Sequence, residues 1–284
     1  MSEANLSTKA MLSTMIISRY RAKGRSKEVD KRVTEHFQTK RKAGSTQIDL
    51  LDPKAIKETQ NTAYHISKHY HSMTLPWDEG RRILPSALYE QFKAGHEERV
   101  EAFNMAVDRF VIEYPALLRA AKDELGDELF NMMEFPRITE IRCKFGITLS
   151  FSPVPVAGDF RVTLSNEEMG RIQEEMNERN KALLAHSMHD AWARLYNVLF
   201  DMSERINKPQ FRDSIVTNIQ AITDILPELN LSNDADLERI RTEVVDKLCR
   251  YTPKELRNDH NKRGEVSSSV DEIMTGMRRL RTDL

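Results

Sequence analysis

The stretch Lys144-Phe145-Gly146-Ile147-Thr148-Leu149-Ser150-Phe151-Ser152-Pro153-Val154-Pro155-Val156-Ala157-Gly158-Asp159-Phe160-Arg161-Val162-Thr163-Leu164 decides the fold. Phe145, Ile147, Leu149 and Phe151 alternate with small or polar residues, a period of two that puts four large apolar side chains on one face of a strand. Pro153 and Pro155 stop that strand, because proline has no N–H to give a ladder. Gly158-Asp159 supplies a turn, and Phe160, Val162 and Leu164 resume the alternation. The expectation is a β-hairpin over 144–164, set in a chain that otherwise reads as helix.

An isolated hairpin is marginal in water and needs partners. Met11 to Tyr20 is the nearest candidate for a third strand, with Leu12, Thr14, Ile16 and Tyr20 on one face. Its apolar run, Met11 to Ile17, is broken by Ser13 and Thr14 and is too short and polar for a signal peptide.

Composition agrees with a helical majority. Of 284 residues, 39% are hydrophobic and 31% charged, with only 10 glycines, which suits long amphipathic helices better than a thick core. The net charge of −1 gives no global drive toward nucleic acid or membrane, and no segment approaches the apolar length of a span. Two cysteines, Cys143 and Cys249, stand in no metal spacing and point to a reducing, cytoplasmic setting.

Working outward from the hairpin, the upstream chain offers three helices. Ser26 caps the first, whose stripe is Val29, Val33 and Phe37. Asp52-Pro53 opens the second, with Ile56, Ala63, Ile66 and Tyr70 inward. Thr74 to Gly80 reads as a turn around Trp77, closed by Leu84-Pro85. The third helix runs from about Ser86 on a seam of Phe92, Val100, Phe103, Val107, Phe110 and Tyr114, with a kink or restart expected at Pro115 and a C-cap at Gly126. Downstream, Ser165 and Glu168 open a helix of about 42 residues, ~60 Å at 1.5 Å per residue, whose seam weakens at Asn177 to Asn180. Phe211 to Leu226 follows, stopped by Pro227, then a helix from Ser232, and a capping box at Thr252 to Glu255. Asn258 to Ser269 reads as a flexible linker before a short terminal helix, so 1–257 is expected to be one body with 258–284 appended.

Chemistry-bearing patterns are few. His65 and His69 share a helical face at a spacing that zinc sites use, but His71 falls on another side, and surface histidines beside Lys68 are the competing reading. Asp190 is one turn from His186 and could orient it as a base, with His189 nearby and no nucleophile in reach. Neither pair makes a site, and no cofactor or enzymatic activity is expected.

Residues 19–42 carry ten basic against three acidic side chains. Arg25, Lys27, Lys31, Arg32, Lys40, Arg41 and Lys42 form the candidate face for nucleic acid or an acidic partner. Tyr20 and Phe37 are its aromatics, and Phe37 belongs to the apolar stripe, which argues against stacking on bases. The loop at Pro153, Pro155, Gly158 and Asp159 is stiffened by its prolines and is a second candidate docking point.

The order Thr74-Leu75-Pro76-Trp77, Gly80, Ile83-Leu84-Pro85, Tyr114-Pro115, Phe151 to Pro155 and Ala157 to Val162 resembles a domain-of-unknown-function family of tailed-phage and mobile-element proteins, over roughly residues 10 to 230. Members are often encoded near a MoxR-type AAA+ ATPase and a von Willebrand A domain protein. The resemblance therefore implies a protein partner in an ATPase-driven assembly, in the host cytoplasm if the chain is phage-encoded. It carries no catalytic residues.

The fold expected is mainly α, an elongated bundle of long antiparallel amphipathic helices with coiled-coil-like seams and a small antiparallel sheet of about three strands at one end. The function expected is a non-enzymatic interaction or scaffold protein. A nucleic-acid-binding accessory protein using 19–42 is the alternative, and a metal-dependent enzyme a distant third. Self-association into a homo-oligomer is compatible with the first.

Overall fold

The hairpin stretch does open as a strand. In the structure, a computed structural model that describes residues 3–41, 44–156, 165–208 and 211–282, strand β6 runs Gly146–Pro153 and stops at the first of the two prolines. The returning strand expected at 159–164 lies outside the described residues.

In chain order the elements are α1 (Glu3–Lys9), β1 (Ala10–Ser18), β2 (Lys23–Arg25), α2 (Lys27–His36), β3 (Gln47–Asp49), α3 (Pro53–Met73), β4 (Leu75–Pro76), β5 (Arg82–Pro85), α4 (Tyr89–Leu129), β6, α5 (Asn166–Arg205), α6 (Ser214–Leu229), α7 (Ala235–Leu248), α8 (Pro253–Asn258) and α9 (His260–Leu280). The molecule is mainly helical, with a small antiparallel sheet. Among the described residues that sheet has four strands in the order β4-β5-β1-β6, and β2 pairs separately with β3. Two of the four come from the segment expected to be turn. Leu75 and Pro76 pair with Ile83 and Arg82, and β5 continues onto β1 with Leu12 opposite Ile83. Pro76 is tolerated because β4 is an edge strand. The turn between them is tight: Gly80 has φ +83°, and Asp78 takes a two-pronged bond from Arg81.

The chain divides into two compact units, one of 1–14, 71–90 and 150–284, the other of 15–70 and 91–149. In the first unit, α5 packs against α6 and α9, and α7 against α6 and α9. Ser165 caps α5 by accepting from Glu168 N. The weak seam at Asn180 has a reason: its amide donates to the Pro155 carbonyl at 3.0 Å and is buried there. Pro227 sits inside α6 and does not stop it, since the helix runs two residues further.

The expected linker is also helix. Asp259 caps α9 through Asn261 N and Lys262 N, and Val266, Val270, Ile273, Met274 and Met277 are buried on it. Only one of those five falls in the polar stretch 258–269, which is why periodicity did not find it.

In the second unit the core joins α3 (Ile56, Ala63, Ile66), α4 (Phe103, Val107, Phe110, Tyr114) and the approach to β6 (Ile141, Phe145). Tyr20 meets Tyr114 edge-on, 6.4 Å between centroids, and burial pushes its phenol up to about 12. Helix α4 carries through Pro115 without the restart that was one of the two outcomes expected there, and turns out of helical geometry only at Gly126, φ +66°. Strand β1 changes its buried parity along its length: Ala10 and Leu12 are buried in the first unit, whereas Met15 and Ile17 pack on the core of the second. Ile16, expected on the face of Leu12, is 58% exposed as a result.

Candidate interaction surface

The basic region is built on α2 and the β2–β3 pair. Ser26 Oγ accepts from Val29 N, as the cap expected. The helix buries one residue completely, and it is an acid: the Asp30 carboxylate takes the backbone N–H of Thr46 and lies 3.6 Å from Arg25 Nε. That carboxylate fastens the segment following the helix back onto it. Val29 and Val33 are half-buried.

Phe37 departs from the expected stripe. It is 67% exposed, edge-on to His36 at 5.1 Å. The helix has ended by then: Phe37 is its C-cap and Gln38 takes φ +49°, so helical spacing no longer steers the ring inward.

Six of the seven candidate cations lie within the described residues and fall into two groups. Arg25 faces Asp30; Lys31 faces Glu35 at 3.8 Å; Arg32 bridges Glu28 at 3.3 Å and Glu128 of α4 at 2.9 Å. Lys27, Lys40 and Arg41 are exposed and make no ion pair among the described residues, and Arg19 and Arg21 behave likewise. Lys42 lies outside the described residues. Along α2 a shallow groove of about 400 Å³ is lined by Lys27, Asp30, Lys31, Thr34 and Glu35. The surface is thus cationic at its ends and of mixed charge along the helix.

The other candidates take structural places. His69 Nε2 lies 3.0 Å from the Phe92 carbonyl, its ring stacked on Phe92 at 5.5 Å and 6°, while His65 is exposed beside Tyr64. The two imidazoles are not brought to a common point, and no group of three metal-ligating side chains occurs among the described residues. Asp190 does not orient His186. It holds Arg194 at 2.8 Å, and that guanidinium reaches the carbonyls of Ser72 and Thr74. At the docking loop, Pro153 is exposed and Pro155 half-buried, with Val154 buried between them; Gly158 and Asp159 lie outside the described residues. Among the described residues, no helix is long and apolar enough to cross a membrane.

Sequence reasoning put Phe37 on the buried stripe and left Arg19 and Arg21, counted among the ten basic residues, out of the candidate face. A helix end without glycine gave no signal for the first; the short β2–β3 pair gave none for the second. Compared with known protein families, curated proteins and solved structures, the chain finds no match.

Proposed function

We propose that the protein is a non-enzymatic interaction protein, an adaptor or scaffold component of a phage-encoded assembly, and that the α2 surface docks an acidic face of a protein partner. The observation that carries this reading is the exposed Phe37 ring, three and four residues before the exposed Lys40 and Arg41, with Lys31 and Arg32 already tied to acids along the helix. An aromatic anchor with cations around it is the pattern of a binding hot spot. Glu28 and Glu35 are paired with Arg32 and Lys31, which leaves Lys27, Lys40 and Arg41, without an ion pair among the described residues, to meet the partner's carboxylates. The resemblance to the tailed-phage and mobile-element family supports an AAA+ ATPase of MoxR type as that partner.

Binding of such an ATPase, measured by calorimetry, tests the reading. Reversal of Lys31, Arg32, Lys40 and Arg41 to glutamate, or Phe37→Ala, should each weaken it at least about tenfold, the loss of one hot-spot contact. Unchanged affinity in both variants would remove α2 from the interface.

The same ring favours one second reading. Phe37 is available to stack on a base, so a single-stranded nucleic acid is the alternative ligand of this surface.

A further inference from the structure

Helix α3 turns one face to the core of the 15–70 and 91–149 unit and the other to solvent. Ile56, Ala63, Ile66 and Tyr70 are buried, while Lys57, Asn61, Tyr64 and Lys68 are exposed. At about 100° per residue those four fall within an arc of about 60°, and at 1.5 Å per residue they span roughly 16.5 Å. Lys54 and His65, also exposed, flank the stripe. Tyr64 is 59% exposed. Its one ring contact among the described residues is with His65, 5.6 Å between centroids and inclined at 64°, so no ring lies parallel over it.

Three features bear on what this face meets. It carries no available acid: Glu58 is the one acidic residue of α3, and Arg109 of α4 holds its carboxylate. Lys54, Lys57 and Lys68 make no ion pair among the described residues. Along the helix the order is cation, amide, ring, cation, so Lys57 and Lys68 bracket the two side chains able to read or stack a base.

A protein partner suits this face poorly. Lysine is depleted in protein interfaces, and no aliphatic side chain is offered here to fill a pocket. A duplex suits it little better, because its base faces are stacked inside and Tyr64 would have none to cover. In a single strand both phosphates and base faces are open.

We infer that the outer face of α3 binds single-stranded nucleic acid: Lys54, Lys57 and Lys68 take phosphates, a base stacks on the Tyr64 ring, and the Asn61 amide meets a base edge. Every base has a π-face, so the site selects strandedness rather than sequence. It lies on a different helix from the α2 surface and holds whether or not α2 docks a protein.

The probe is a ten-nucleotide oligo-dT strand titrated at 20 mM salt into the isotope-labelled full chain. Binding is followed by the amide shifts of residues 57–68, which report this face and not α2. The strand should shift them in a saturable way. Three phosphate contacts on a single strand give a salt slope of about −2.1, or roughly 70-fold weaker binding at 150 mM, which leaves little at that salt. Lys57→Gln with Lys68→Gln should cut the slope to about −0.7. Tyr64→Ala should weaken binding at least about tenfold, the worth of one stacked base, and Tyr64→Phe should keep it. All four side chains are exposed, so these variants should fold. Phe37→Ala, which removes the aromatic of α2, should leave the shifts of 57–68 unchanged and so keeps this test apart from that of the α2 reading. Absence of shifts at 57–68, or a strand affinity indifferent to Tyr64→Ala, would overturn the proposal. So would an oligoglutamate peptide that shifts the same amides as strongly, which would give the face to an acidic protein, or a duplex whose binding there is equally sensitive to Tyr64→Ala.

Discussion

A methyl group built on Gly95 of α4 would fall 2.6 Å from Cε1 of His69 on α3. Glycine in a helix interior ordinarily costs about 0.5–1 kcal/mol relative to alanine. Here the close approach reverses that preference, because the imidazole is held by the Phe92 carbonyl and by its stack on the Phe92 ring and cannot swing away cheaply. Gly95→Ala should therefore destabilise by about 1–3 kcal/mol, the cost of overpacking. Gly170→Ala, in open space on α5, should stabilise by up to about 1 kcal/mol. Urea unfolding of both variants checks the contrast, and a stabilised Gly95→Ala would mean that His69 is mobile.

The same ring is half of a sandwich. His69 and His96 flank Phe92, with centroids 5.5 and 5.6 Å away. Burial is the main cause holding both imidazoles below their usual range; Arg99 adds to it at His69, and His69 adds to it at His96. The Phe92 carbonyl and Glu98 oppose the shift at His69, as Glu97 does at His96. With the folded values below the unfolded value of about 6.5, the unfolded chain takes up protons first as pH falls. Their contribution is complete above about pH 6.5 and is lost on the way down through the lowered folded values. The urea midpoint should drop between pH 7.5 and 5.5, and the drop should shrink in a His69→Gln, His96→Gln double variant. An equal drop in the variant would assign the acid sensitivity to other groups.

Asp234 does two jobs at the start of α7. One carboxylate oxygen caps the helix through Asp236 N and Leu237 N, at 3.0 and 3.1 Å. The other accepts the indole N–H of Trp192, a side chain 1% exposed, at 2.9 Å. Asp234→Ala removes the cap and leaves a buried donor unpaired, so a loss of about 2–4 kcal/mol is expected. Asp234→Asn keeps a capping oxygen but turns an amide toward the indole, for about 1–2 kcal/mol. Equal losses in the two variants would show that the indole bond contributes nothing.

Truncation after residue 257 separates a docked helix from an appended tail. It removes five buried side chains of α9 from the faces of α5 and α7. At about 1.5–3 kcal/mol each, that is roughly 8–15 kcal/mol, as large as the whole stability of an ordinary domain. The truncated chain should lose the cooperative unfolding of its 150–257 portion. An unchanged melting curve would restore the linker reading.

Where the sequence was legible, a local rule acted alone. Ser26, Pro53 and Thr252 start helices as their types demand, and Ile56, Ala63, Ile66 and Tyr70 are all buried at their helical spacing. The β4–β5 pair was hidden because Pro76 reads as turn, and only pairing with a distant β1 makes a strand of Arg82–Pro85. The first half of α9 was hidden for a related reason. Its helicity rests on Asp259 and on ion pairs of Lys262 with Glu255 and of Glu265 with Arg250, which no apolar period announces. Of the candidate sites, charge was legible and pairing was not. Residues 19–42 are visibly basic, but only the folded chain separates Arg25, Lys31 and Arg32, already engaged, from Lys27, Lys40 and Arg41. The outer face of α3 could not be read either, since only the folded chain ties its one acid, Glu58, to Arg109 and leaves Tyr64 exposed.

That separation sharpens the test of what α2 binds. If the surface takes duplex DNA, the cations without an ion pair among the described residues (Arg19, Arg21, Lys27, Lys40 and Arg41) are the ones that can release counterions. Five phosphate contacts give a salt slope of about −4.5, or roughly 500-fold between 50 and 200 mM salt. If it takes a single strand, the slope falls to about −3.5 and Phe37→Ala costs about 1–3 kcal/mol, the worth of one stacked base. If it takes a protein, DNA affinity at 150 mM salt should be no tighter than millimolar, while Phe37→Ala and the fourfold charge reversal both weaken the protein complex. Charge reversal at Lys31 and Arg32 also puts like charges beside Glu35, Glu28 and Glu128, so that variant needs a melting curve to show it is folded. Lys27→Glu with Lys40→Glu and Arg41→Glu lessens the problem, because those side chains make no ion pair among the described residues. Salt-steep duplex binding lost in that triple variant, with Phe37→Ala silent, would defeat the protein-docking reading.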